Sequence, residues 1–286
     1  MAGGFREEVT GLFPSLEKEG WLVEHLRFTL LPAEPRDCPL DDLTRWWSRV
    51  TGNGSPTARG EVLLPNASIS KHVEGPFGEE GKSKCQLFGY FSPISQGIER
   101  FDLYVVPSAP PPPNEPLLGP FSLVSDFVGL VERFLDSAPP AKRLAFGSVF
   151  VRKGESREGA LSILQEKLPT VRIDVQNTHD FVYLVNKPVF VDLSSGQVRL
   201  REGEGHVRIN RIGEWRLTLW ENLIVGEGGT FTVSNPFARV MLDINTHLTY
   251  RGVFSEGEFF TIAGVLLAEG MNLLLKGDHL PEEGEG

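Results

Sequence analysis

ARVMLDINTHLTYRG, residues 238–252, places Val240, Leu242, Ile244 and Leu248 at even positions and Asp243, Asn245 and His247 at odd ones. Side chains alternate faces along a β-strand, so the apolar set should turn to a core and the polar trio away from it. Successive members of the trio would stand about 7 Å apart, too far to bond one another without a neighbouring strand. HVRINRI, 206–212, offers that neighbour, with Arg208 and Asn210 as cross-strand partners on an antiparallel sheet.

The same two-residue period recurs before this stretch. VRIDV, HDFVYLV, PVFVDL, QVRLRE, HVRINRI, EWRLTLW, NLIVGE and TFTV read as successive strands, with SSG (194–196), EGEG (202–205) and EGG (227–229) at hairpin distances. Helical spacing replaces it in three places. FSLVSDFVGLVERFLD carries a wide apolar stripe behind Ser122, SREGALSILQEKL starts at Ser156 and stops at Pro169, and a long apolar helix covers 256–276. In that last helix Glu269 and Asn272 interrupt the apolar run, which suits burial in protein better than contact with lipid.

Toward the N-terminus, FREEVTGLFPSLEK has helical spacing broken at Pro14, and EHLRFTLL alternates as a strand. In DDLTRWWSRV, Leu43, Trp46, Trp47 and Val50 share a helix face capped by Asp41 or Asp42. EVLLP, KCQLFGYFSP and RFDLYVVP then form a meander. PSAPPPPNEPLLGP lacks backbone donors through four consecutive prolines and reads as a semi-rigid spacer. The expected organisation is an N-terminal α+β region over 1–106, a proline-rich linker over 107–120, a C-terminal α+β domain over 121–276 and an acidic flexible tail over 277–286. No internal repeat is visible. The order of elements lacks the regular βαβ alternation of a parallel sheet, so the expected fold class is α+β: antiparallel sheets in two subdomains with amphipathic helices packed on one face.

From 121 to 276 this order resembles a sporadically distributed bacterial family of uncharacterised proteins of about this size. The resemblance rests on FSLVSDFVGLVERFLD, LAFGSVFVRKGESREGALSILQEKLP, HDFVYLVNKP and the late ARVMLDIN strand with its following helix, and VEHLRFTLL would supply the family's early strand. It departs at FGSVFVRK, where the family commonly has an Arg-Tyr-Ile-Asn run. The resemblance implies architecture and brings no catalytic residue with it.

The formal charge of −10 repels phosphate backbones, and the basic residues come singly or in pairs, so nucleic acid is an unlikely partner by this reading. The termini and the apolar runs suggest neither a signal peptide nor a membrane span, and two cysteines without CxxC spacing suit a reducing, cytoplasmic setting. The six histidines, at 25, 72, 179, 206, 247 and 279, form no HxH or HExxH, and GxSxG and GxxxxGK[ST] are absent; no metal or cofactor is expected. The sequence therefore reads as a non-catalytic interaction or accessory protein in a bacterial multi-gene system, one of defence or of mobile elements. Its expected partner is another protein, with self-association as a further option. The alternative reading is an enzyme with a small-molecule site built on Asp243, His247 and Arg208, where an acid, an imidazole and a guanidinium would hold or turn over a small anion.

Overall fold

The computed structural model describes residues 9–65, 68–78, 81–108, 116–203, 205–226 and 229–279. Much of the proline-rich spacer and most of the acidic tail lie outside these. The chain opens with α1 (Phe13–Lys18), β1 (Leu22–Pro32) and α2 (Leu40–Thr51). A meander follows: β2 (Ala58–Leu63), β3 (Ile69–Phe77), β4 (Ser83–Ser92) and β5 (Gly97–Pro107), then β6 (Gly119–Pro120) and α3 (Leu123–Leu135). The second half runs β7 (Ala141–Lys153), α4 (Arg157–Lys167), β8 (Val182–Asn186), β9 (Val189–Asp192) and β10 (Val198–Arg199). It ends with β11 (His206–Gly226), β12 (Gly229–Thr246) and α5 (Glu256–Lys276). The fold is α+β and mostly antiparallel sheet.

All the described strands join one sheet in the order β10-β9-β11-β12-β7-β1-β5-β4-β3-β2, with β6 added beside β1 and β8 beside β11. The order repeats a plan. In each half the first strand pairs with the last, β1 with β5 and β7 with β12, and a helix follows that last strand. The two first strands then pair antiparallel with each other in the middle of the sheet. In this central ladder Phe28 faces Phe146, while Phe28 faces Leu103 and Phe146 faces Ile244 on their outer sides. A local two-fold relation therefore passes through the Phe28/Phe146 pair.

Leu26, Phe28 and Leu30 of β1, Leu103 of β5, Phe146 of β7 and Ile244 of β12 are buried, and the register puts them on one face. Helix residues close over them. Phe134 of α3 meets Phe28 edge-on at 6.2 Å, Trp46 of α2 meets Phe101 at 5.0 Å and stacks on Phe134 at 4.6 Å, and Phe127 lies 6.1 Å from Phe146. Gly270 lets α5 approach the seam: a Cβ there would stand 2.6 Å from the Phe146 ring, inside any real contact distance. Burial of each large ring contributes about 1.5–3 kcal/mol, so the seam is a main source of cohesion between the halves.

Several local readings are revised. Asp41 and Asp42 lie inside the first turn of α2, whose N-cap is Pro39, and Ser122 makes no side-chain cap; Ser156 does cap α4, accepting from the Gly159 amide. VRIDV forms no strand. HVRINRI, EWRLTLW and NLIVG are one continuous strand of 21 residues, with Glu227 outside the described residues, and TFTV and ARVMLDINT are another of 18. β3 adds a strand that alternation does not reveal, because its residues are largely polar and include Gly75 and Pro76. The strand β12 ends at Thr246, which leaves Leu248 65% exposed instead of in the core with Ile244. By length and composition α5 could cross a membrane, but its sequence is mostly buried against the sheet. Its Glu269 carboxylate meets the buried Arg211 guanidinium of β11 at 2.7 Å, at an angle poor for a hydrogen bond, so the contact is an ion pair. Burial pushes the Arg211 pKa down, and the Glu269 charge opposes that shift.

Candidate functional site

The face of the sheet that carries Asp243 is built row by row from the register. One row runs His72, Phe88, Asp102, Thr29, Ala145, Asn245, Asn210, each opposite the next on neighbouring strands. The adjacent row runs Gln86, Tyr104, Arg27, Gly147, Asp243, Ile212, Asn186. A cleft of about 380 Å³ opens across the middle strands β5, β1, β7 and β12, and its polar lining is Arg27, Thr29, Arg100, Arg143, Asp243 and Asn245. This face is not uniformly wet. Val149 and Val151 of β7 lie on it and are nearly fully buried.

The charges in the cleft are unequally committed. Asp102 is fully buried and accepts hydrogen bonds from Thr29 Oγ1 at 2.6 Å and Arg100 Nε at 2.9 Å, with Arg100 Nη2 on its second oxygen. Burial alone would lower the Arg100 pKa, but the hydrogen bond and charge of Asp102 outweigh it and the net shift is upward. Burial, with Asp102 second, pushes the Tyr90 hydroxyl up to about 12, and the Arg100 guanidinium lies 4.9 Å from that ring. Arg143 donates from Nε and Nη2 to the Thr246 carbonyl at 3.2 and 3.1 Å. Arg27 is different. Its Nε is buried without a hydrogen-bond partner, and among the described residues its side chain makes no ion pair.

Asp243 ends a chain of amides. Asn186 Nδ2 donates to Asn210 Oδ1 at 3.3 Å, Asn210 Nδ2 to Asn245 Oδ1 at 3.0 Å, and Asn245 Nδ2 to Asp243 Oδ1 at 3.0 Å. Each amide donates to the next and the carboxylate, which can only accept, closes the series. This row was half legible: Asn210 is the cross-strand partner of Asn245 that alternation suggests, whereas Asn186 comes from a strand on the far side of β11.

The three residues of the enzyme alternative share this face without converging. His247 lies past the end of β12, where its Nδ1 accepts from the Thr249 amide at 3.2 Å and meets Thr249 Oγ1 at 2.9 Å. Arg208 is beside it, since its carbonyl accepts from the His247 amide at 2.8 Å. Asp243 lies four residues up the strand, roughly 13 Å away at the usual rise, and it accepts from Asn245 Nδ2. The structure thus brings His247 and Arg208 together by backbone and leaves Asp243 with the arginine cleft. His179 contacts Arg157 Nη1 at 2.6 Å in a loop. Among the described residues no cluster of three or more His, Cys, Asp or Glu is placed to hold a metal ion.

Sequence reasoning missed Arg27, Thr29, Arg100 and Arg143. Alternation places Arg27 and Thr29 on the polar face of β1, but only the pairing of β1 with β7 puts them beside Asp243.

Comparison with protein-family models finds no match, and comparison with curated proteins finds none either. Among solved structures, the crystal structure of the di-domain ARO/CYC StfQ from the steffimycin biosynthetic pathway overlaps at a TM-score of 0.19 and 12% identity, over 87% of this chain and 96% of that one. The di-domain ARO/CYC BexL from the BE-7585A biosynthetic pathway overlaps at 0.18 and 11% identity, over 90% and 99%.

Proposed function

We propose that this chain is a non-catalytic protein-interaction or accessory protein, a component of a bacterial multi-gene system, and that its contact element is the ribbon formed by the ends of β11 and β12. The observation that carries this reading is the length of those strands. β8 pairs with β11 only over 212–216 and β7 pairs with β12 only over 237–245, yet β11 and β12 stay in register from Trp220↔Asn235 to Gly226↔Gly229. Beyond Pro236, whose carbonyl accepts from Gly154, the described ribbon has two strands and no third. It reaches roughly 20 Å past the sheet. A two-stranded ribbon is marginal alone in water, and its outer backbone edges gain hydrogen-bond partners when another chain pairs with them. The architecture that accompanies this reading is two subdomains, one for each repeat of the strand plan, with helices on a single face. It rests on the seam at Phe28/Phe146 and on the helix contacts described above.

The test compares the full chain with a variant in which 221–234 is replaced by a two-residue Asn-Gly turn. Both are used to retrieve partners from the native host. A protein retained by the full chain and lost by the shortened one, at equal thermal stability, supports the proposal. Retention of the same proteins by both would remove the ribbon as the contact element, and retention of none by either would remove the interaction reading.

A further inference from the structure

Arg27 presents an unmet chemical demand. A guanidinium carries donors on every nitrogen and stays charged at all accessible pH, so the buried Nε–H of the half-buried Arg27, left without an acceptor, is costly. What lies beside that nitrogen is marked by Gly147, the residue opposite Arg27 across the central ladder. A Cβ at Gly147 would stand 2.9 Å from Arg27 Nη2 and 3.0 Å from Nε. The Nε and Nη2 side of a guanidinium is one that takes a carboxylate in two-point fashion. Here it lies over bare backbone in the cleft of about 380 Å³, a volume within the range of sites for small ligands.

The neighbours cannot supply what is missing. Arg100 is matched by Asp102, Arg143 is turned to the Thr246 carbonyl, and Asp243 on the far side of Gly147 receives Asn245 and makes no ion pair with Arg27. With Arg100 matched by Asp102 beneath the lining, two arginines, Arg27 and Arg143, remain against Asp243. On a chain of net charge −10 this local excess of cation stands out.

We propose that the cleft between the two halves of the sheet binds a small organic acid. Its carboxylate sits over Gly147 against Nε and Nη2 of Arg27, Arg143 lies on its flank, and Asp243 accepts from a hydroxyl or amino group of the same molecule. The site draws Arg27, Thr29 and Arg100 from the first half of the chain and Arg143, Asp243 and Asn245 from the second. It is independent of the ribbon proposed above as the protein contact.

The experiment titrates the full chain with succinate, malate, inorganic phosphate and uncharged succinamide at low ionic strength. Affinity is read by calorimetry and by chemical shifts of the Asn245 side-chain amide. Saturable binding of succinate or malate is expected, tighter for malate because of its hydroxyl, with succinamide inert. Arg27→Gln, which removes a charged hydrogen-bond donor, and Gly147→Ala, whose methyl enters the space beside Nε and Nη2, should each weaken binding roughly tenfold or more. Arg36→Gln, outside the cleft, should leave it unchanged. Phosphate binding as tightly as the carboxylates would overturn the carboxylate assignment, and equal affinity in Arg27→Gln or absence of any titration would overturn the site. Should both cleft variants fail to fold, the wild-type spectra decide: shifts confined to Asn245 and Thr29 support the site, and shifts scattered over surface residues refute it.

Discussion

Asp102 on β5 and Asp243 on β12 occupy matching places. Each follows a buried apolar residue in the last strand of its half, Phe101 in one and Leu242 in the other, and each faces the first strand of that half. Opposite Asp102 stands Thr29, whose hydroxyl bonds it, and Arg100 completes its neutralisation. Opposite Asp243 stands Gly147, which has no side chain to offer, and Arg27 leans over the space. One scaffold thus yields a closed carboxylate and an open one. The difference arises from Thr29 against Gly147 on the strand opposite and from Arg100 against Met241 two residues before the aspartate on its own strand, while the strand plan itself is the same in both halves.

The largest test addresses whether the halves stand or fall together. Phe146→Ala removes a ring at the seam and should cost about 3–5 kcal/mol, with far-ultraviolet circular dichroism and tryptophan fluorescence still reporting one shared transition. Two separated transitions in the unaltered chain would show that the halves fold independently. Glu269→Ala should cost a similar amount, about 3–5 kcal/mol, because it leaves the Arg211 guanidinium of the second half buried without its partner. Denaturant titration measures it, and Arg211→Met combined with Glu269→Leu should recover most of the loss.

A smaller effect separates the two carboxylates directly. Asp102→Asn should destabilise by about 1–2 kcal/mol, kept low because Arg100 is 40% exposed and screened, and Asp243→Asn by less than about 1 kcal/mol. Equal losses in chemical denaturation would erase the distinction between closed and open. The smallest effect concerns His25 of β1, whose pKa is lowered chiefly by burial, with Arg27 and Arg239 adding to the shift and Glu24 opposing it. Tyr104 packs beside the ring at 6.3 Å. The folded chain binds the proton less readily than the unfolded one. Stability should therefore be indifferent to this group above about pH 6.5 and fall as pH drops from there through the lower folded value, levelling below it. His25→Gln should flatten that part of a stability profile.

Much of the strand and helix pattern was legible because it is a property of neighbours along the chain. The helix face of Leu43, Trp46, Trp47 and Val50 and the buried trio Val240, Leu242 and Ile244 follow from periods of 3.6 and 2 and hold in the structure. Local pattern divides the long ribbon strands into pieces, since Gly213 has the look of a turn until Trp215 fills the space above it. The polar face of β12 was identified, but the residue that gives it a chemical character was not. Arg27 is more than two hundred residues away in sequence, and nothing local in EHLRFTLL distinguishes a solvated arginine from one held over a glycine.

The amino-acid order alone determined the α+β class, the alternation that separates core from polar face and the placing of the final helix, because these depend on interactions within a few residues. The pairing of β1 with β7 was settled only by tertiary structure, and with it the repeated plan, the cleft and the company of Arg27. Strand partners far apart in the chain are selected by the joint burial of both apolar faces, and that free energy belongs to the assembled sheet and to no segment of it.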